Sequence, residues 1–242
     1  MNKNKTKNTR NKVLLIINLK TYLEGSGRNA VKLAKICAKI QKEYKNCEIM
    51  LAAQAADIFR ITKDYKIKVL AQHVDNIDAG AHTGKVLIQT IKDNGAAGTL
   101  INHSENQLKL KDIENTIKRC KENKMFSVVC ATNERIGKAI ATLNPDVIAI
   151  EPPELIGTKN SVSKTKPELI KQSVKAIKET NPNIKVLCGA GINTMMDVYK
   201  ALELGSEGIL VASAIVKAKD PEKKIRQFCD AVNKFLNKKK KY

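Results

Sequence analysis

Tryptophan is absent from this chain of 242 residues, and aromatic residues make up only 4% of it. The aromatics do not interleave with basic residues, and no zinc-finger or RNP pattern occurs, which excludes a stacking platform for single-stranded nucleic acid. No stretch reaches the roughly 18 apolar residues of a membrane-spanning helix, and the polar, basic N-terminus carries no signal-peptide core. Neither a membrane protein nor a secreted one is expected, and the expected location is cytoplasmic. The six cysteines, at positions 37, 47, 120, 130, 188 and 229, form no C-x-x-C pair and no regular spacing. They read as free thiols in a reducing compartment, with no disulfide framework, no metal site and no cofactor indicated.

Positive charge, by contrast, is in excess. Lys and Arg number 44 against 24 Asp and Glu, a net charge of +20. Residues 1–12 hold five of these cations and residues 238–241 four, so the two ends supply nine of the twenty and leave +11 on the body. Like-charged runs with few apolar residues cannot pack a core, so residues 1–11 and 237–242 read as basic tails flanking one domain over residues 12–236. The body's excess reads as a Lys-rich solvated surface, without sequence-specific nucleic-acid recognition, that favours anionic ligands.

Between the tails the chain keeps one rhythm. Apolar runs rich in β-branched residues recur at 13–17, 48–52, 68–71, 98–101, 127–129, 147–150, 185–187 and 208–211. Amphipathic segments lie between them, such as Val31, Leu33, Ile36 and Ile40, or Ile113, Ile117 and Cys120, at helical spacing. Several runs are apolar throughout, as parallel strands covered on both faces must be. Eight such alternations predict an α/β fold, a TIM (β/α)8 barrel with eight parallel strands and helices outside. An open doubly wound sheet has the same rhythm, and periodicity alone leaves it open.

In a barrel, chemistry sits where strands end and the loops to the next helix begin. Strand 1 ends in INLKTY, placing Asn18 and Lys20 on the same side of an extended chain. Strand 4 ends in INHSEN, strand 6 in IEPPELIGT, strand 7 in LCGAGI and strand 8 in LVASAI. One cation, one imidazole, one carboxylate and two small-residue turns thus converge on one rim, an acid–base pair beside a phosphate cradle. Taken singly, each has a plainer reading. Glu151 would be a strand-end acid, His103 a hydrogen-bonded structural histidine, Lys20 a solvated lysine, and Ala212 with Ser213 tight packing. His73 and His82 read as structural.

Together these motifs resemble the triosephosphate isomerase family, in its short archaeal-type form. NLK, QHVDNIDAGAHTG, NHSE, EPPELIGT, CGAGI and LVASAIV occur in family order over about residues 12–236. The resemblance implies an intramolecular isomerase of glycolysis and gluconeogenesis that interconverts D-glyceraldehyde 3-phosphate and dihydroxyacetone phosphate. It makes Glu151 the catalytic base and His103 the electrophile, and lets Lys20 with Asn18 bind and polarise the substrate. Ile156, Gly157, Gly191, Ala212 and Ser213 fall where the family holds the phosphate through backbone N–H groups.

The chemistry accounts for these residue types. Moving a carbonyl between adjacent carbons requires a base that removes a C–H proton and returns it one carbon along. The enediolate needs a donor at its oxygens, which a neutral imidazole supplies in this family. A helix starting within residues 105–115, with Ser104 as its cap, is expected behind His103. Pro152 and Pro153 read as the stiff hinge of a lid over residues 151–163, and Gly157, Gly189 and Gly191 as points of close backbone approach to phosphate.

The long connection over residues 73–84 resembles a subunit-contact loop, with Thr83 reaching the neighbour's Asn18 and Lys20. A homo-oligomer is implied, a dimer at minimum and a tetramer as final size. Two positions depart from the family pattern: Asn106 replaces an arginine, and Lys159–Asn160 follows IGT where glycine is usual. Two alternatives stand at this point. One is another phosphate-binding barrel isomerase or synthase, and the other a nucleic-acid-binding protein on a retired barrel.

Overall fold

The structure is a computed structural model, and it describes residues 12–152 and 167–239. Eight strands arise where the apolar runs were: β1 Val13–Asn18, β2 Cys47–Ala53, β3 Lys68–Ala71, β4 Gly98–Ile101, β5 Phe126–Ala131, β6 Val147–Ile150, β7 Lys185–Cys188 and β8 Gly208–Val211. Each pairs in parallel with the next, and β8 returns to β1 with Leu14 opposite Gly208 and Ile17 opposite Val211. That closure excludes the open doubly wound sheet. At the seam only glycine fits position 208, because a Cβ there would lie 2.2 Å from the Leu14 carbonyl oxygen.

Strand parity separates two cores. Leu14, Ile16, Met50, Leu70, Leu100, Val128, Leu187 and Leu210 point inward and fill the barrel. Leu15, Ile17, Ile49, Leu51, Val69, Val129 and Ile148 point outward, against the helices. Each such side chain, fully buried, contributes about 1.5–3 kcal/mol of apolar transfer.

The helices are α1 Arg28–Glu43, α2 Ala55–Asp64, α3 Ile88–Asp93, α4 Leu110–Glu122, α5 Glu134–Ala141, α6 Pro167–Thr180, α7 Met195–Glu203, α8 Ser213–Val216 and α9 Pro221–Lys239. Some begin on side-chain caps, as α7 does where Thr194 and Asp197 form a reciprocal capping box. α9 runs through residues 237–239, which the charge pattern assigned to the tail. Among the described residues no helix is long and apolar enough to cross a membrane.

The helix behind His103 starts within residues 105–115 as expected, but not on the Ser104 cap. α4 begins only at Leu110, with Lys109 at the cap position and no side-chain cap bond, so Ser104 caps nothing. The reason is local: the Asn102 side chain accepts the Leu108 N–H at 2.9 Å and holds the intervening residues in a loop. The long loop after β3 has a clamped stem. Asp75 accepts the Val86 N–H at 2.7 Å through its carboxylate and donates its own N–H to the Val86 carbonyl at 2.9 Å. Burial by itself raises the Asp75 pKa, but bonds from Val86, Lys85 and His73 outweigh it and hold the carboxyl below its usual range. Beyond the stem, residues 78–85 are all exposed.

Candidate active site

Strand parity, continued past the strand ends, places the polar side chains. The inward series Leu14, Ile16 runs on to Asn18; Val147, Ala149 leads to Glu151, Leu187 to Gly189 and Leu210 to Ala212. Lys20, expected on an extended continuation of β1, instead enters from a left-handed turn beyond the strand. These residues, with His103, Gly191 and Ser213, line a single cleft at the C-terminal end of the barrel. The cleft thus draws on β1, β4, β6, β7 and β8. Ile156 and Gly157 lie outside the described residues, as do Pro153, Lys159, Asn160 and the rest of the expected lid.

Glu151 follows directly on β6, and its N–H donates to the Ala131 carbonyl at 2.8 Å. Only 3% of the residue is exposed, and Oε2 has no hydrogen-bond partner among the described residues. Oε1 stands 3.3 Å from His103 Nε2. Behind the carboxylate lies Gly189, where a Cβ would come within 2.5 Å of Glu151 Cγ. The sequence pattern made Gly189 a point of phosphate approach; the structure shows a glycine that leaves room for the acid. Cys130, on the inner face of β5, is pushed well above the ordinary thiol range by burial first and by the Glu151 charge next.

The orientation of His103 is set by backbone. The Glu105 N–H donates to His103 Nδ1 at 3.1 Å. A nitrogen that accepts a hydrogen bond carries no proton, so the ring proton sits on Nε2, the atom that faces Glu151 and the cleft. The flanking Asn102 holds this turn in the left-handed region at φ 59°, a conformation asparagine tolerates. Its amide donates to the Cys130 carbonyl at 3.0 Å while its oxygen takes Leu108 N–H. Asn106, in place of the family arginine, donates its N–H to the His103 carbonyl at 2.7 Å.

Lys20 is far from the solvated lysine of the plainer reading. Its side chain is 12% exposed, and Nζ donates to Glu105 Oε1 at 2.5 Å. Its backbone is left-handed, φ 49°, a conformation costing about 1–3 kcal/mol for a side-chain-bearing residue. Two polar groups hold it there: the Asn18 carboxamide oxygen accepts the Lys20 N–H at 3.0 Å, and Gln72 Nε2 donates to the Lys20 carbonyl at 2.9 Å. Gln72 also approaches Asn18 Oδ1 at 3.3 Å and the Ala52 carbonyl at 3.2 Å, tying the ends of β1, β2 and β3 together.

Gln72, Glu105 and Asn102 were not singled out from the sequence. The period-two count from Leu70 places Gln72 on the inner face and was the available signal for it. The same count from Leu100 reaches Asn102, while nothing comparable marks Glu105, whose role arises from a turn.

On the far side of the cleft, Gly191 adopts φ 68°, a turn open to glycine. α8 starts at Ser213 with Ala212 as its N-cap, and the first N–H groups of any helix lack an intrahelical acceptor. The site therefore pairs a buried carboxylate with an Nε2–H imidazole and an oriented cation, opposite a turn and a helix start suited to an anion.

Known proteins resemble this sequence over most of its length. A family model described as triosephosphate isomerase matches residues 13–234. A triosephosphate isomerase of Methanothermus fervidus is 48% identical over 214 residues, 88% of this chain and 96% of that one. The one from Methanobrevibacter smithii is 50% identical over 212 residues, 88% of this chain and 95% of its own. The one from Methanocaldococcus jannaschii is 49% identical over 215 residues, 89% and 98% of the two chains.

Proposed function

Because this chain belongs to the triosephosphate isomerase family, we propose that Glu151, His103 and Lys20 interconvert D-glyceraldehyde 3-phosphate and dihydroxyacetone phosphate in its cleft. The observation that carries the assignment of roles is the His103 tautomer, fixed by the Glu105 N–H at 3.1 Å, with its Nε2–H 3.3 Å from the Glu151 carboxylate. Asn18 and Lys20 bind the substrate, and Ile156, Gly157, Gly191, Ala212 and Ser213 hold its phosphate through backbone N–H groups.

The reaction then runs on this chain's own groups. The Lys20 ammonium draws in the phosphate and, with His103 Nε2–H, polarises the carbonyl oxygen. Glu151 removes a proton from the carbon beside that carbonyl, and an enediolate forms with its charge on the oxygens that His103 faces. His103 serves the two oxygens in turn, and Glu151 returns the proton to the neighbouring carbon. A buried carboxylate in fixed register with the imidazole supplies the positioning on which this proton transfer depends. A coupled assay in both directions tests the reading: turnover above background is expected, and its lack in folded protein refutes the function.

The reading extends to location and assembly. The enzyme works in the cytoplasm, in glycolysis and gluconeogenesis, and the basic segments outside the barrel take no part in catalysis. Its smallest competent unit is a dimer, and the final size a tetramer. In support, residues 78–85 project from a clamped stem, and a second hollow beside the cleft is lined by Lys20, Gln72, His73, His103 and Glu105. Thr83 of one copy, seated there on another, would brace Asn18 and Lys20.

A further inference from the structure

We propose that the end of the barrel opposite the cleft is a docking surface for double-helical nucleic acid, held through its phosphate backbone. The proposal starts from how the fold sorts charge. The turns from each helix to the next strand open on this end. Five of the eight strands start within two residues of a lysine that sits here, namely Lys12, Lys45, Lys66, Lys124 and Lys185. Lys45, Lys66 and Lys124 are exposed and make no ion pair among the described residues.

Most acids of the same end are already engaged. Glu48 pairs with Lys68 and Glu207 with Lys178, each at 2.5 Å. Glu43 is held by Arg226, and Asp146 accepts both the N–H and the hydroxyl of Ser127 at 2.8 Å. Asp64, Asp93, Glu122 and Glu179 remain; the first two directly follow Lys63 and Lys92, and the last two face a lysine of their own helix, Lys118 at 4.0 Å and Lys175 at 3.8 Å. None of these carboxylates pairs with Lys12, Lys45, Lys66, Lys124 or Lys185, so the strand-start lysines keep their charge for a partner. A shallow hollow within this end is lined by Lys121 and Lys185 with Asn144, Asn183, the engaged Asp146, Pro145 and the half-buried Phe126. Two cations and two amides suit a phosphate group.

The first and last described residues also lie here. Lys12 lies with its carbonyl 3.5 Å from Lys185 Nζ, and α9 ends here with Lys238 pairing with Glu203, the last residue of α7, at 3.1 Å. Two other anionic partners fit less well. Every large exposed apolar side chain described (Leu23, Phe59, Leu110, Ile136, Met196) lies in a strand-to-helix loop or the first half of a helix, away from this end. Nothing here can insert into a lipid interface, and the aromatics described at this end, Tyr44, Tyr65 and Phe126, are half-buried rather than open to the stacking that single strands require.

Fluorescence anisotropy of a mixed-sequence DNA duplex against the full chain, across a salt series, reads the binding. A dissociation constant on the order of 10⁻⁵ M at physiological salt, indifferent to sequence, is expected. The triple variant Lys45→Glu, Lys66→Glu, Lys124→Glu should weaken it at least tenfold and flatten the log–log salt slope by about two to three units. Its isomerase rate should not change, since none of the three touches the cleft. A control with the same change of net charge, Lys32→Glu, Lys109→Glu, Lys111→Glu, alters lysines nearer the cleft and should keep most of the affinity. Equal losses in the two variants would reduce the effect to net charge and overturn the proposal. So would undiminished binding by the first variant, which would assign it to the tails alone. Preference for phosphatidylserine vesicles or for single-stranded DNA over duplex would also overturn it. Isomerase turnover is read separately, so neither proposal can fail on the other's account.

Discussion

Replacing Gly189 with alanine should disable the cleft while leaving the barrel standing. The added methyl carbon would lie 2.5 Å from Glu151 Cγ and 3.2 Å from the Ile150 carbonyl oxygen. Carbon atoms rest at about 3.5–4.0 Å, so one partner must move by roughly 1 Å or more. The backbone resists, because the Gly189 N–H donates to that same Ile150 carbonyl at 2.8 Å within paired strands. The Glu151 side chain must therefore yield, carrying its carboxylate off the 3.3 Å register with His103 Nε2. A displacement of about 1 Å at a reacting group costs on the order of 100-fold in rate, which is about 2.7 kcal/mol of barrier. Overpacking should also lower stability by about 1–3 kcal/mol. Gly189 has no left-handed φ, so backbone strain adds nothing. Initial rates in a coupled assay give kcat/KM, and thermal melting by circular dichroism shows that the fold survives. A folded Gly189→Ala enzyme within about threefold of the parent in kcat/KM would refute the reasoning: the working carboxylate would then not rest against position 189.

Four further outcomes are expected. Glu151→Gln should fold normally and lose several orders of magnitude in kcat, because an amide cannot accept the proton, as steady-state kinetics will show. Lys20→Met should raise KM and lower kcat together, since the cation acts on both phosphate and developing oxyanion; a change in KM alone would remove its role in the chemistry. All six thiols are buried, and burial pushes those of Cys37, Cys120 and Cys188 up to about 12, so a chromogenic disulfide reagent should titrate them only as the protein unfolds. Thr83→Arg should lower the mass seen by light scattering and lower activity with it; a fully active monomer of the parent chain at nanomolar concentration would overturn the assembly reading.

The parts of the fold legible in the sequence were those that follow from local rules. Apolar β-branched runs marked each strand to within a residue or two, because both faces of a parallel strand are buried. The period of two placed Asn18 on the inner side of β1, whereas Lys20 lies past the strand, where the chain is no longer extended. What escaped were features created by neighbours distant in sequence. The left-handed turn at Lys20 rests on Gln72, a residue two strands away, and no pattern around INLKTY announces it. Ser104 looked like a helix cap because its spacing fits one, but Asn102 captures the Leu108 N–H first. Gly189 was read for the ligand it faces; its neighbour Glu151 explains it better.

The seam between β1 and β8 gives this barrel an order in time. A ribosome delivers β1 first and β8 last, separated by nearly the whole chain, yet Leu14 must meet Gly208 before the ring closes. Until then β1 has an unpaired edge, open to the wrong partner. Asn18 and Lys20 stand on one bank of that seam, Ala212 and Ser213 on the other. A nascent chain that has not yet made β8 therefore has most of a core and no working cleft. Catalytic competence arrives in a single late event, and the slow step of maturation should be the joining of β1 to β8.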